Sequence, residues 1–432
     1  MKLTLKHIGI VRSAEIRLDG ITVIGGENNT GKSTVSKTLY AVFNGFYNCH
    51  ERARQDQYRS IRDAVRSVFL YLSLKHEDEM TSRADTSGIV REIMENRARY
   101  ARGGADAFYE LFSRHIPQFE NHVDNPETAE KLFERIRLRS NYTQQEIIAA
   151  MLHTTLKTEL SKQVVNVYGA QKGEILFEAR DRVSQIQVEA DHTSLRDLQE
   201  VYTRAIYIDD PFVVDELNGR AISTQHDRRR DRSVYSAHRS HLAAALYQDR
   251  QAQNVTEELA INQKLDRIYR KVSDVCGGKL EKQPDGNYVY LDKDGTPFQI
   301  QSLSTGLKSF VILKQLLLNG ALEENGTIIL DEPEIHLHPE WQLVLAELIV
   351  LLRAEFGMHV LINTHSPYFL RAIQVYAARH AVADQCKYYL ARREGRDAVI
   401  SDVSDDIESI YELLAAPFQR LEELRWREDE SV

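Results

Sequence analysis

"GGENNTGKST", residues Gly25 to Thr34, constrains this chain more than any other stretch. Gly26, then four positions, then Gly31-Lys32-Ser33 fits the phosphate-loop pattern without a mismatch. "GITVIGG" reads as a buried strand running into the loop, and residues 33–48 read as a helix with Val35, Leu39, Val42 and Phe43 on one side. In that strand–loop–helix context, backbone N–H groups converge on phosphate oxygens and the helix N-terminus adds a positive dipole end. The candidate nucleotide-binding residues are Gly26, Asn28, Asn29, Thr30, Gly31, Lys32, Ser33 and Thr34. Lys32 is placed to reach the β- and γ-phosphates, and the Ser33 hydroxyl to ligate Mg²⁺. Asn29 stands where many such loops carry glycine, and Asn is the side chain that best tolerates left-handed backbone.

The remainder of the text divides into blocks. Residues 1–34 alternate as strand, turn, strand, turn, strand, as "KLTLKHIGIVRSAEIRL" shows. Residues 50–163 are rich in Arg, Glu, Gln and Ala with a period near that of a helix, and Thr143 and Glu146 have capping-box spacing. "VVNVYG", "GEILFEAR", "RVSQIQVEA" and "RAIYIDDPF" then read as strands, helices are expected over roughly 235–275, and "KLEKQPDGNYVYLDKDGTPFQIQSL" reads as a meander with two Asp-Gly turns. A helix over Ser304–Leu318, the strand "TIILD", an amphipathic helix ending at Gly357, the strand "HVLINT", a hairpin around Glu394–Gly395 and a terminal helix complete the chain. The organisation expected is therefore a nucleotide-binding head over 1–49 and 164–432, interrupted by a helical insertion over 50–163. A membrane helix needs roughly 20 apolar residues, and no run approaches that. Cys49, Cys276 and Cys386 form no CxxC pair, which suits a reducing cytoplasm. The net charge of −9 gives no global attraction to nucleic acid, so any such contact needs a local basic patch.

Further elements carry chemistry. At the end of "TIILDEPE", Asp331 is placed to support a metal and Glu332 to polarise a water as a general base, although paired acids after a strand are also common in solvated turns. "SLSTGLKS" puts Ser304 and Gly306 at a helix start, where capping explains Ser304 as well as anion binding does. "INTHSP" puts His365 at a strand end.

The order of phosphate loop, LSxG-type segment, DE acids and strand-end histidine resembles that of ATP-binding-cassette ATPases. "DEPEIHLHPEWQ" and "THSPYFL" make the chain resemble the group related to RecF, SMC proteins and overcoming-lysogenization-defect nucleases, over residues 1–45 and roughly 200–375. The resemblance implies an α/β P-loop head with an antiparallel β lobe, using ATP and Mg²⁺. It implies that Lys32 and Ser33 hold phosphate and Mg²⁺, Asp331 supports the metal, Glu332 is the base and His365 senses the γ-phosphate. Ser304 and Gly306 would contact the nucleotide of a second subunit in a homodimer, and Arg12 matches a basic position near the nucleotide in double-strand-break-repair relatives. The sequence departs from the pattern at His338, which stands where transporter cassettes carry an acid. It also lacks a clear Q-loop glutamine, for which Asp209 and Asp210 are candidates, and no adenine-stacking residue is assigned. The stretch after His365 is too short for the nuclease domain of the third kind of relative.

These features point to an ATPase that controls a separate effector, a nuclease or toxin, in bacterial phage defence, resembling the ATPase subunits of the Septu and PARIS systems. The alternatives are a DNA-handling ATPase of the RecF or SMC kind and a transporter's energising subunit; "EIHLHP" disfavours the latter. "HDRRRDR" at 226–232 is a candidate phosphate contact or a solvated loop. The pairs His336/His338 and His238/His241 have metal-ligand spacing but no partnering Cys or acid quartet.

Overall fold

The computed structural model describes residues 1–73, 86–116, 119–123, 125–219, 237–247, 268, 270–273 and 275–429. The charge cluster at 226–232 and most of the helical stretch expected over 235–275 lie outside the described residues. The chain forms two compact units, one of Met1–Tyr47 with Leu152–Val432 and one of Asn48–Met151.

The first unit is built on an eleven-stranded sheet in the order β6-β5-β4-β1-β2-β14-β13-β3-β12-β11-β7. Its strands are β1 (Lys2–Ile8), β2 (Val11–Arg17), β3 (Ile21–Gly26), β4 (Gly173–Ala179), β5 (Arg182–Val188), β6 (Thr193–Arg196), β7 (Ala205–Ile208), β11 (Thr327–Asp331), β12 (His359–Thr364), β13 (Cys386–Glu394) and β14 (Asp397–Asp402). The two halves of this sheet follow different rules. β13, β3, β12, β11 and β7 pair in parallel, and every residue of β3 is buried, as expected for strands covered on both faces. β2-β1-β4-β5-β6 pair antiparallel, and β5 alternates buried and exposed positions, the signature of a sheet with one wet face. A separate three-stranded meander joins β8 (Lys279–Lys282), β9 (Tyr288–Leu291) and β10 (Pro297–Gln299), with the Asp-Gly turns where the sequence puts them. "VVNVYG" is not the strand expected of it: only Val165 bridges to Ile8, and Asn166 caps the following turn by accepting from the Tyr168 N–H.

Register decides where the chemistry can sit. Gly25 of β3 is level with Thr364 of β12, Asp331 of β11 with Asn363, and Ile208 of β7 with Leu330. The phosphate loop, His365, the Asp331-Glu332 pair and Asp209-Asp210 therefore all follow the carboxyl ends of neighbouring parallel strands, the edge where open α/β sheets bind ligands. The helices Lys32–Phe46, Thr305–Leu318, Pro339–Phe356 and Pro367–Arg379 pack apolar faces onto this half, with Phe310, Leu316, Ile349 and Phe369 buried in one core.

The second unit is helical, with helices Cys49–Ser73, Thr86–Glu95, Arg97–Arg102, Ala105–His115 and Pro126–Asn141. Its core is aromatic: Phe108 stacks on Phe133 at 5.4 Å between ring centroids, and Phe112 on Phe119 at 5.2 Å. The helix Gln144–Glu159 begins in this unit and ends in the first, which takes over at Leu152. Its start carries the capping box read from the sequence, with Glu146 accepting from the Thr143 N–H and donating its own N–H to the Thr143 hydroxyl.

Candidate functional site

The loop between β3 and the helix Lys32–Phe46 turns through backbone that few residues adopt. Asn29 has φ 60° and Gly31, at the helix N-cap, has φ 87° and ψ 7°. A Cβ on Gly31 would stand 2.6 Å from Val11 Cγ2, and one on Gly26 2.5 Å from the Ala391 carbonyl oxygen, so both positions exclude any side chain. Thr30 donates its hydroxyl to the Glu27 carbonyl, bracing the turn. Lys32 is 4% exposed and donates to the carbonyls of Gly26 and Glu27, each at 2.8 Å. Burial lowers the Lys32 pKa, and the Coulombic pull of Glu332 and Asp331 works against that shift.

Glu332 is the centre of the acid side. It has φ 51°, a strained value for a non-glycine residue, held by its N–H bond to Asn363 O at 2.9 Å and by Ile335 N donating to its carbonyl. Its Oε1 lies 3.6 Å from Lys32 Nζ and 3.3 Å from His365 Nδ1. Behind it, Glu334 is 2% exposed and accepts the Thr364 hydroxyl at 2.5 Å, and the same hydroxyl accepts the Ser366 N–H. Burial raises the Glu334 pKa.

Asp331 accepts from Tyr207 and from Asn363, and Asn363 also donates to Ser36 on the phosphate-loop helix. A cleft of about 320 Å³ is lined by Ser33, Lys37, Asp209, Asp210, Asp331 and Glu332, among others. A hydroxyl and carboxylates are hard oxygen donors, the kind that fits Mg²⁺ bound by one or two protein groups with waters and phosphates completing its octahedron.

The structure thus gathers Lys32, Ser33, Asp331, Glu332 and His365. Arg12 lies next to Val11, beside the loop, with its guanidinium on Glu394 at 2.5 Å. Ser304 caps the helix Thr305–Leu318 by accepting from the Leu307 N–H. With Gly306 it lines a different depression, together with His336, His338 and Trp341 and with no phosphate-loop residue. Asp209 and Asp210 are held by Arg239, and Asp209 also by His238. His238 presents its two ring nitrogens to Glu159 and Asp209, which accounts for that histidine without a metal, and no metal-binding cluster is present among the described residues. Tyr207, Asn363, Thr364 and Glu334 escape a reading of the sequence because each acts through a partner far away in the chain. Only the short acidic run "DEPE" could have drawn attention to Glu334.

Comparison with known proteins follows the same line. Residues 1–370 match the AAA ATPase domain family. A stretch of 113 residues is 29% identical to a Vibrio cholerae protein described as "Retron Vc95 probable ATPase", covering 24% of this chain and 21% of that protein. The chain therefore spans about a fifth of that relative's length. Among solved structures, the SMC head domain from Thermotoga maritima is 12% identical, with 93% of this chain and 98% of that one covered and a TM-score of 0.36. A Pyrococcus furiosus SMC head with an extended coiled coil is 11% identical, with 98% of each chain covered and a TM-score of 0.42. With the family matched across most of its length and a phosphate loop at the carboxyl edge of its parallel strands, this chain is a P-loop ATPase and belongs to the AAA ATPase domain family.

Proposed function

We propose that this ATPase works as a head-to-head homodimer that ATP closes, and that its cycle controls a separate effector protein in defence against phage. The observation that carries the dimer is the separation just described: Lys32, Glu332 and His365 converge on one site, whereas Ser304 and Gly306 face another depression. Gly26 to Thr34 of one copy hold the phosphates, and Ser304 and Gly306 of a second copy cover them. Glu332 orients and deprotonates the attacking water, Lys32 and His365 hold the γ-phosphate, and Ser33 and Asp331 hold Mg²⁺. When bound, Mg²⁺ supplies charge neutralisation at the phosphates. The defence reading is supported by the stretch similar to a retron's ATPase.

A mixing experiment tests the composite site. Lys32→Ala and Ser304→Arg should each lack ATPase activity alone. Mixed dimers would carry one site with both defects and one with neither, so activity should return. No recovery on mixing, with dimers still forming, would refute action in trans. For the effector, purification from the native host should bring down a nuclease or toxin with the Glu332→Gln protein in ATP, and recovery of DNA alone would favour the DNA-handling alternative.

A further inference from the structure

Both carboxylate oxygens of Asp331 are engaged by this chain. Tyr207 Oη donates to Oδ2 at 2.7 Å and Asn363 Nδ2 donates to Oδ1 at 2.8 Å. Tyr207 is 1% exposed, and its hydroxyl is the donor to Asp331. Its ring does not stand alone. His238 lies against it at 4.4 Å between centroids, and Tyr40 at 6.0 Å.

His238 is itself clamped. Its Nδ1 is 2.5 Å from Glu159 Oε2, its Nε2 is 3.0 Å from Asp209 Oδ2, and its backbone N–H donates to Glu159 Oε1 at 3.0 Å. Ionised carboxylates only accept, so acceptors on both ring nitrogens call for the doubly protonated imidazolium. Burial pulls the His238 pKa down, but the hydrogen bonds to Asp209 and Glu159 outweigh it and hold the value above the ordinary histidine range. Glu159 is fully buried and lies outside the lining of the cleft, so it acts there only through His238, whereas Asp209 lines the cleft itself.

We propose that Tyr207 is the positioning residue of the metal-supporting acid: its hydroxyl fixes the orientation of Asp331, and His238, clamped between Glu159 and Asp209, fixes the Tyr207 ring. The proposal rests on reading Asp331 as the metal-supporting acid of a nucleotide site. A carboxylate that can rotate binds a cation less tightly than one locked by hydrogen bonds, and loss of such an outer partner typically costs about 10–100-fold in metal affinity or activity. The clamp ends on Glu159, the last residue of the helix Gln144–Glu159.

The test reads metal affinity rather than turnover. The protein is loaded with a fluorescent, non-hydrolysable ATP analogue, and Mg²⁺ is titrated against EDTA-treated controls. Tyr207→Phe keeps the ring and removes only the hydroxyl, and it should raise the half-saturating Mg²⁺ concentration about 10-fold or more. Metal-free analogue affinity should stay at the parent value, which a general disruption of the site would not allow. His238→Gln should shift the Mg²⁺ midpoint in the same direction and serves as the deciding variant if Tyr207→Phe does not fold. A parent that responds to Mg²⁺ while the folded variant keeps the parent midpoint would overturn the proposal alone. A parent that binds no analogue, or shows no Mg²⁺ response, would overturn the nucleotide-site reading and the proposal with it.

Discussion

Lys32 and Glu332 face each other across the site, Nζ to Oε1 at 3.6 Å, one from the phosphate-loop helix and the other from the turn after β11. Replacing either should have a different consequence. On the proposed roles, Glu332→Gln removes the general base and should lower turnover by about 10²–10⁴-fold while nucleotide still binds. On the same proposal, Lys32→Ala removes the cation at the phosphates and should weaken nucleotide binding itself. Phosphate release paired with fluorescent-nucleotide titration separates the two effects, and an unchanged rate in Glu332→Gln would sink the base assignment.

The loop's backbone makes two neighbouring substitutions diverge. Gly31→Ala puts a methyl at φ 87° and 2.6 Å from Val11 Cγ2, so it should cost at least about 1–3 kcal/mol and abolish nucleotide binding. Asn29→Gly, at φ 60°, removes no side chain that the turn needs for its shape and should be nearly neutral in thermal stability. Equal melting temperatures for the two variants would contradict this account of the loop.

Thr364 links Glu334 to the turn bearing His365. Thr364→Val conserves shape but leaves the Glu334 oxygen and the Ser366 N–H without their partner. An unsatisfied buried polar group costs about 1–3 kcal/mol, and a urea unfolding curve should show a loss of that order. Turnover should fall as well, because the same turn positions His365.

His359, at the start of β12, makes stability depend on acid. Burial, with Arg353 adding to it, pushes its imidazole down to about 4. Its folded value is thus below the unfolded value of about 6.5, so between them the unfolded chain binds the extra proton. Its neutral form supports the fold fully above about pH 6.5, and that support falls away as pH drops towards 4. His359→Leu should flatten the loss over this window in denaturant midpoints. An unchanged slope would show that other groups carry it.

The helical unit should report its own core. Phe133 meets Phe108 at 5.4 Å and Phe112 at 5.5 Å, and Phe133→Ala should cost about 3–5 kcal/mol. Calorimetry should show a transition at reduced temperature for the unit Asn48–Met151 while the nucleotide-binding unit melts as before. A single transition shifted as a whole would mean the two units unfold together.

What the sequence determined by itself was local. A glycine loop between a buried strand and a helix fixes backbone angles over a few residues, so Gly31, Asn29 and the Lys32 helix were legible, as were the capping box of Thr143 and Glu146 and the two Asp-Gly turns. The strand-end positions of Asp331 and His365 were legible too, whereas the parallel pairing that brings those ends to one edge came from the tertiary structure. "VVNVYG" misled because its apolar alternation looks like a strand, whereas it contributes one bridge to Ile8. Tertiary structure alone decided what holds the acids. Tyr207 donates to Asp331 across 124 positions, and Asn363 to Ser36 across 327. Glu159, His238 and Asp209 form one cluster of titratable groups from three separate segments. No local pattern encodes such contacts, because a hydrogen bond between distant residues depends on strand register and helix packing rather than on the spacing of residue types.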